Sequence, residues 1–215
     1  MIGRFNPTIF QPKWLLSQQL IRQSLAESAK GKLQIEGDTQ LKIVHPSVTA
    51  YSTDSYHIQV TPEQYVISSV NSDWLEELRD LTVGIFRTLN HTPIYKMGIN
   101  QEWHFKAIDN VTYKSIMSKY IPSDPWSNLV KNPSPISVQI ASEREDEYKG
   151  SVVVRAERSN QVKNGIYLLV NDHYDLVEEP EEHIGCEEAI KALESVFKDS
   201  IRKTTAISTS MMSRT

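Results

Sequence analysis

The single cysteine of the chain lies close to a histidine, a combination that could support nucleophilic catalysis. Cys186 stands in the sequence HIGCEEAI, at the predicted start of a helix, with His183 three residues before it. A helix N-terminus favours a thiolate, and a histidine can accept the thiol proton. Glu187 and Glu188 follow directly and disfavour that negative charge. Cys186 also falls on the apolar stripe of its helix, so we expect a small core residue.

The six histidines show no spacing that is typical of a metal site. None forms a pair four residues apart on a helix, and the sequence contains no HExxH or CxxC motif. His104 lies on a predicted strand between Trp103 and Phe105, which alternation places on the opposite face of the sheet. If the face that carries His104 is open, this histidine can line a groove. The candidate ligand-binding residues are His57, Tyr95, Trp103 and His104.

Motifs that bind phosphate or mark a familiar catalytic centre are missing from the sequence. It contains neither GxGxxG nor GxxxxGK[ST], so no phosphate-binding loop is predicted. It also lacks the GxSxG elbow of the hydrolases and the motif set of the kinases. We therefore expect no cofactor and no metal, and the sequence favours a non-catalytic protein over an enzyme.

Composition and charge are those of an ordinary globular protein. The chain has 215 residues, 39% of them hydrophobic, and a formal net charge of −4. This charge disfavours direct contact with nucleic acid, which requires a basic face. No apolar run reaches the length of a membrane-spanning helix, and the first residues do not resemble a signal peptide. One cysteine excludes an intrachain disulfide, which together with these features predicts a cytoplasmic protein.

An acidic segment at 172–188 and the polar end of the chain are candidate contact regions. The acidic segment lacks the ligand spacing of an EF-hand loop, so partner docking is its functional alternative to a solvated loop. Methionines in the last residues could pack into a groove of a partner. The candidate partner-binding residues are Glu178, Glu179, Glu181, Glu182, Met211 and Met212. The partner would be another protein or a second copy of this chain.

Two helices with similar apolar stripes frame the predicted architecture. Both stripes advance in steps of four, three, four and four residues, which suits one buried helical face. The first helix, over 72–90, carries Trp74, Leu78, Leu81, Ile85 and Leu89. The second, from about 185 to about 203, carries Cys186, Ile190, Leu193, Phe197 and Ile201. A further helix is predicted over 13–31 from its apolar spacing.

The order of predicted elements repeats along the chain. Each half, 1–91 and 92–205, reads β-α-β-β-β-α, with hairpin signals between the strands. The predicted fold class is therefore α+β, with duplicated halves forming one antiparallel sheet of about eight strands and helices mainly on one face. These halves make a single domain over 1–205, and 206–215 form a flexible tail. The order resembles the duplicated TATA-binding-protein-like and helix-grip folds; this resemblance concerns architecture and implies no function.

Two functions are compatible with these features. The first is a non-catalytic interaction or adaptor protein of a multi-protein complex, which the missing catalytic motifs and the acidic segment favour. The alternative is a sensor or enzyme for a small ligand, with a groove between sheet and helices. A small protein with few motifs is also compatible with a bacterial defence or mobile-element system.

Overall fold

The computed structural model describes residues 1–29, 34–35, 39–40, 43–120, 126, 128–133, 136–177 and 185–213. The predicted α+β class is confirmed for this part of the chain. The helices are α1 (Pro12–Ser17), α2 (Gln23–Glu27), α3 (Leu75–Thr88), α4 (Asn110–Tyr120) and α5 (Glu187–Ser213). The strands are β1 (Ile2–Gly3), β2 (Gln34–Ile35), β3 (Thr39–Gln40), β4 (Ile43–His45), β5 (Val48–Ser52), β6 (His57–Val60), β7 (Tyr65–Ser68), β8 (Ile94–Lys106), β9 (Ser137–Glu143), β10 (Lys149–Arg158) and β11 (Gly165–Asp175).

The strands form separate antiparallel sheets, so the prediction of one sheet of about eight strands is not confirmed. A five-stranded sheet has the order β1-β8-β11-β10-β9, and a four-stranded sheet has the order β4-β5-β6-β7. Strands β2 and β3 pair only with each other among the described residues. Alternation of apolar residues predicts the faces of a strand, but it does not say which strands become neighbours.

The chain divides into two compact units, each assembled from segments that are distant in sequence. Unit 1 comprises Met1–Met97 and Asp175–Phe197, and unit 2 comprises Gly98–Tyr174 and Lys198–Thr215. Strand β8 and helix α5 therefore contribute residues to both units. The unit boundaries differ from the predicted halves 1–91 and 92–205, and the single domain over 1–205 stays a prediction.

Unit 1 is built around a cluster of aromatic side chains. Phe5, Phe10, Tyr65 and Phe86 are buried and contact one another. The rings of Tyr65 and Phe86 meet edge to face, with 5.1 Å between their centroids. Full burial of one such side chain contributes about 1.5–3 kcal/mol, so this cluster is a major stabilising element of unit 1.

The helix predicted over 13–31 is interrupted in the structure. Helices α1 and α2 occupy the region where the sequence predicted one helix over 13–31. Gln19 lies between them in the left-handed conformation, with φ of 59°. A left-handed residue ends the helical path, since the next residues can no longer continue the hydrogen-bond ladder.

Helix α3 confirms most of its predicted stripe, and Trp74 is the exception. Leu78 and Ile85 are buried, as the spacing predicts. Trp74 belongs to a short 3-10 turn before the helix, and 37% of its surface is exposed. The cap of this turn is Asn71, whose Oδ1 accepts the hydrogen bond from the Asp73 amide at 2.9 Å.

Unit 2 contains the strands β9, β10 and most of β11, together with helix α4. Strands β9 and β10 pair over seven residues without a break in register. Helix α4 contributes Ile116 and Met117, which are buried in one cluster with Ile166 of β11. Tyr113 and Tyr120 pack against this cluster. The α4 side chains therefore anchor this helix to the strand layer.

Helix α5 continues to Ser213, although the sequence predicted its end near residue 203. The buried side of its last turns carries small polar residues, namely Ser200, Thr204 and Ser208. Thr204 Oγ1 donates to the Ser200 carbonyl at 2.8 Å, and Ser208 Oγ donates to the Thr205 carbonyl at 2.9 Å. Such bonds satisfy a buried hydroxyl within its own helix. Flexibility of residues 206–215 stays a prediction.

Within the described residues, no helix combines the length and apolar character that crossing a bilayer requires.

Candidate functional site

One face of the strands in unit 2 is buried, and the opposite face is partly exposed. On β11 the buried side chains alternate with half-buried ones along the whole strand. The half-buried set includes Tyr167 and Asn171, and Asn171 Nδ2 donates to Asn100 Oδ1 of β8 at 2.6 Å. The sequence predicted that His104 would matter only if its side of the sheet were accessible, and this partly exposed face carries it.

His104 lies beside a tyrosine and a serine on this face. Its ring centroid is 5.0 Å from that of Tyr167. Its Nδ1 is 2.8 Å from the Oγ of Ser159, which also accepts hydrogen bonds from the amides of Gln161 and Val162. Because these amides donate to the Ser159 oxygen, its own proton is free to go to His104 Nδ1. This hydrogen bond holds the His104 ring in place on the face.

Charged side chains surround Tyr167 on the same face. The guanidinium carbon of Arg155 is 5.5 Å from the centre of the Tyr167 ring. Arg155 Nε is 3.8 Å from Glu157 Oε2. Burial raises the pKa of Tyr167, and the charge of Glu102 adds to this effect. The phenol therefore stays protonated at neutral pH, and the face offers both donors and acceptors to a binding partner.

The four candidate ligand-binding residues belong to different parts of the fold. His57 and Tyr95 lie in unit 1, whereas Trp103 and His104 lie in unit 2. His57 Nδ1 is 3.2 Å from Ser52 Oγ on the neighbouring strand. Trp103 alternates with His104 along β8, which directs the two side chains to opposite faces. A common ligand site for all four residues stays a prediction.

Cys186 is a buried thiol and not an exposed nucleophile. Its side chain is fully buried in unit 1, and its Sγ donates to the Phe86 carbonyl at 3.2 Å. Burial raises the pKa of the Cys186 thiol to about 11, and the charges of Glu187 and Glu188 add to this effect. A thiol with this pKa is protonated and unreactive at neutral pH. His183 lies outside the described residues.

No group of three or more potential metal ligands occurs among the residues that the structure describes. The candidate partner-binding residues Glu178, Glu179, Glu181 and Glu182 lie outside those residues. Met211 is half-buried in α5, and its carbonyl accepts a hydrogen bond from the Tyr120 hydroxyl at 2.7 Å. Met212 has a described backbone in α5, and its side chain lies outside the description.

A buried ion-pair network in unit 2 escaped the sequence analysis. Arg144, at the end of the β9–β10 hairpin, pairs with Asp172 of β11 and with Asp146. Its guanidinium carbon lies 3.7 Å from the centre of the Tyr174 ring, and the Tyr174 hydroxyl donates to Asp172 Oδ2 at 2.7 Å. In the sequence, residues 143–149 appear only as a charged hairpin end, because neighbouring residues do not indicate which of these charges become buried.

Exposed apolar side chains concentrate in one stretch of unit 2. Of the ten large hydrophobic residues that are exposed among the described residues, seven lie between 108 and 140. We call these seven the apolar surface set: Ile108, Val111, Trp126, Leu129, Val130, Ile136 and Ile140. Single exposed apolar residues are ordinary, whereas a contiguous patch of exposed apolar side chains is typical of an interaction surface.

Two shallow depressions occur at the surface of the described residues. One, in unit 1, is lined by Arg87, Glu187, Ile190, Lys191, Glu194 and Ser195. The ion pair between Arg87 and Glu194, with 2.5 Å between Nη2 and Oε1, lies at its wall. The other, in unit 2, is lined by Val111, Thr112, Ser115, Ile116 and Lys119 of α4. Both open to solvent, whereas pockets that hold small molecules are enclosed and mostly apolar.

Comparisons with protein-family models, curated proteins and solved structures found no match to this chain.

Proposed function

We propose that this protein is a non-catalytic interaction protein that docks another protein through the apolar surface set of unit 2. The observation that carries the proposal is the exposure of these seven side chains within residues 108–140. Leu129 is 72% exposed and Val111 is 76% exposed. Burying such side chains against a partner stabilises a complex by about 25 cal/mol per Å² of apolar surface, before the cost of association.

The chemistry of the candidate residues supports the same proposal. Cys186 is buried with a raised pKa, and the described residues hold no metal-ligand group. Val111 of the apolar surface set lines the depression on α4, which can therefore accommodate a side chain of the partner. Flat, partly apolar surfaces suit proteins as partners better than they suit small molecules.

The proposal is tested by affinity purification of the tagged full-length protein from its native host. We compare the wild type with the double variant Val111→Ser, Leu129→Ser. A matched control replaces two exposed apolar residues of unit 1, Val44→Ser and Val70→Ser. We expect a copurifying protein whose recovery falls at least about tenfold in the Val111/Leu129 variant, equivalent to about 1.4 kcal/mol of binding free energy. An identical set of copurifying proteins in all three samples contradicts the proposal.

A second candidate function is the binding of a small ligand at the sheet face around His104. The specific support is the proximity of His104, Tyr167 and Arg155, which together offer an aromatic surface and one guanidinium group. Small carboxylates and phosphates are the suitable probes, since guanidinium groups bind both. We expect a rise in melting temperature with one such probe that His104→Ala abolishes. No shift across the panel, or an equal shift in the variant, removes this candidate.

We also propose that the two halves arose by duplication. In the first half, β1 lies beside the residues that lead into β7, the last strand of the four-stranded sheet: Ile2 forms a bridge with Gln64, and the Gly3 amide donates to the Glu63 carbonyl at 3.1 Å. In the second half, β8 lies beside the last meander strand β11. The same neighbour relation in both halves supports the proposal, as does the helix that follows each meander, α3 or α5.

A cytoplasmic location completes the proposal, and the free thiol of Cys186 supports it. The acidic residues between 178 and 182 remain candidates for partner contact on the basis of sequence. A role in a bacterial defence or mobile-element system is compatible with an adaptor of this kind.

A further inference from the structure

We infer that strand β9 pairs with β9 of a second copy of this chain, in antiparallel orientation with Ile140 opposite Ile140. This inference goes beyond the proposed docking of another protein, because it names a second copy of the chain as a partner and β9 as the contact surface. It concerns the edge of the five-stranded sheet, where β9 is the last strand in the order.

The exposed edge of β9 is long and regular. Its seven residues, Ser137–Glu143, pair with β10 in continuous register, and β10 is the only neighbour of β9 among the described residues. The outer N–H and C=O groups of such a strand can pair with another strand. In contrast, the edge strand β4 of the four-stranded sheet has three residues, and Pro46 follows it directly.

Strand β9 lacks the features that protect exposed edges in monomeric proteins. These features are lysines, prolines, bulges and inward-pointing charges. Within Ser137–Glu143 the only charged residue is Glu143, at the very end, and no proline occurs. Ile140, in the middle of the strand, is 61% exposed, and Ile136, just before it, is 79% exposed. The edge therefore combines unpaired backbone groups with apolar side chains.

The side-chain sequence of β9 is compatible with itself in the antiparallel orientation. With Ile140 at the two-fold axis, Glu143 faces Ser137, Val138 faces Ser142, and Gln139 faces Ala141. No pair of like charges results, and two β-branched isoleucines meet at the centre. Aliphatic and opposite-charge cross-strand pairs are favourable, whereas like charges directly opposite are destabilising.

Charges beyond the strand select the antiparallel orientation. The hairpin end after β9, residues 143–149, carries four acidic residues against Arg144 and Lys149, whereas the segment 128–136 before β9 carries Lys131 and no acidic residue. Antiparallel pairing brings the acidic hairpin end of one copy toward the 128–136 segment of the other. Parallel pairing would instead place two acidic hairpin ends side by side, which is unfavourable.

The first test is sedimentation velocity of the full chain at tens of micromolar protein. We expect a dimer for the wild type and at least about a tenfold weaker dimer for Ile140→Lys, since two ammonium groups then face each other. Because the Ile140 side chain is exposed, we expect the variant to fold, and circular dichroism checks this. A wild type that stays monomeric, or an Ile140→Lys dimer of unchanged strength, overturns the inference.

Cysteine crosslinking tests the register. Ile140→Cys places two thiols opposite each other, so mild oxidation should give a covalent dimer, while the buried Cys186 does not compete. Ser142→Cys is the matched control, because its symmetry mate lies four residues away along the strand, or about 13 Å. Equal crosslinking of both variants, or none of Ile140→Cys, overturns the proposed pairing. The proposed function is judged separately, since Val111 and Leu129 lie outside β9 and its test detects another protein.

Discussion

At the scale of single residues, Arg144 is a buried cation that two carboxylates hold in place. The side chains of Arg144 and Asp172 are 3% and 1% exposed. Two buried ions lose their hydration, and each is tolerated only while its partner is present. The Tyr174 hydroxyl donates a further hydrogen bond to Asp172. Burial raises the pKa of Tyr174, and this hydrogen bond to Asp172 raises it further.

Replacement of Arg144 by alanine should destabilise unit 2 strongly. Asp172 would remain buried without its cation, so Arg144→Ala should lower the free energy of unfolding by about 3–5 kcal/mol. Urea denaturation followed by circular dichroism measures this change. The matched control is Arg202→Ala, whose ion pair with Asp199 is largely exposed; it should cost about 1 kcal/mol or less. Similar unfolding midpoints for both variants would contradict a structural role of the network.

The Cys186 thiol should resist modification in the folded protein. With its pKa raised from 9.0 to about 11, the native thiolate at neutral pH is scarcer than in the unfolded chain, by about a hundredfold. Labelling with a thiol-specific disulfide reagent should therefore be slow in buffer and fast in urea. Complete labelling of native protein within seconds would show that the thiol is accessible.

The same raised pKa predicts how Cys186 contributes to stability at high pH. The folded state keeps the thiol proton longer than the unfolded state, so the stability linked to this proton is present below about pH 9. It is lost as the pH rises toward the folded pKa of about 11. The difference in unfolding free energy between wild type and Cys186→Ala should shrink between these pH values. A constant difference would contradict the linkage.

At the scale of elements, β10 can approach β11 closely because its second residue is a glycine. Gly150 has a φ of 133°, a backbone conformation that residues other than glycine rarely adopt. A Cβ atom at this position would lie 2.2 Å from the His173 carbonyl oxygen of β11. Backbone cannot move away as a flexible side chain can, so a larger residue would push the two strands apart.

Gly150→Ala should therefore destabilise the protein by about 2 kcal/mol or more, combining backbone strain with the steric conflict. Gly98→Ala in β8 is the matched control, since the nearest atoms would lie 3.5 Å from its Cβ. Alanine there should be neutral or stabilising by about 0.5–1 kcal/mol, because glycine weakens a strand interior. Chemical denaturation measures the free energy of unfolding of both variants. Equal stability of the two would refute the close approach of β10 and β11.

At the scale of the whole molecule, the net charge of −4 opposes binding to nucleic acids. Affinity for a phosphate backbone comes mainly from released counterions, which requires a cluster of lysines and arginines. The protein should not shift a duplex DNA or a single-stranded RNA in a gel assay at about 0.15 M salt. A lysine-rich protein serves as the positive control. A shift that weakens steeply with added salt would reveal a basic surface and contradict the prediction.

The sequence by itself determined most of the local structure. The predicted run of strands before each long helix is present, β5 to β7 before α3 and β9 to β11 before α5, because the alternation of apolar residues follows directly from strand geometry. The apolar stripe of α3 predicted the burial of Leu78 and Ile85, because residues at this spacing share one face of a helix. The polar appearance of TTAISTS concealed the last turns of α5, since Thr204 and Ser208 are buried through bonds to their own helix.

Only the tertiary structure decided which of these residues become neighbours. Nothing near Arg144 in the sequence points to Asp172, which is 28 residues away. His104 meets Ser159 across 55 residues. The position of β9 at the end of its sheet, which leaves Ile140 exposed, likewise depends on the strand order. Periodicity encodes which face of an element is apolar, whereas pairing between distant segments depends on the packing of the whole chain.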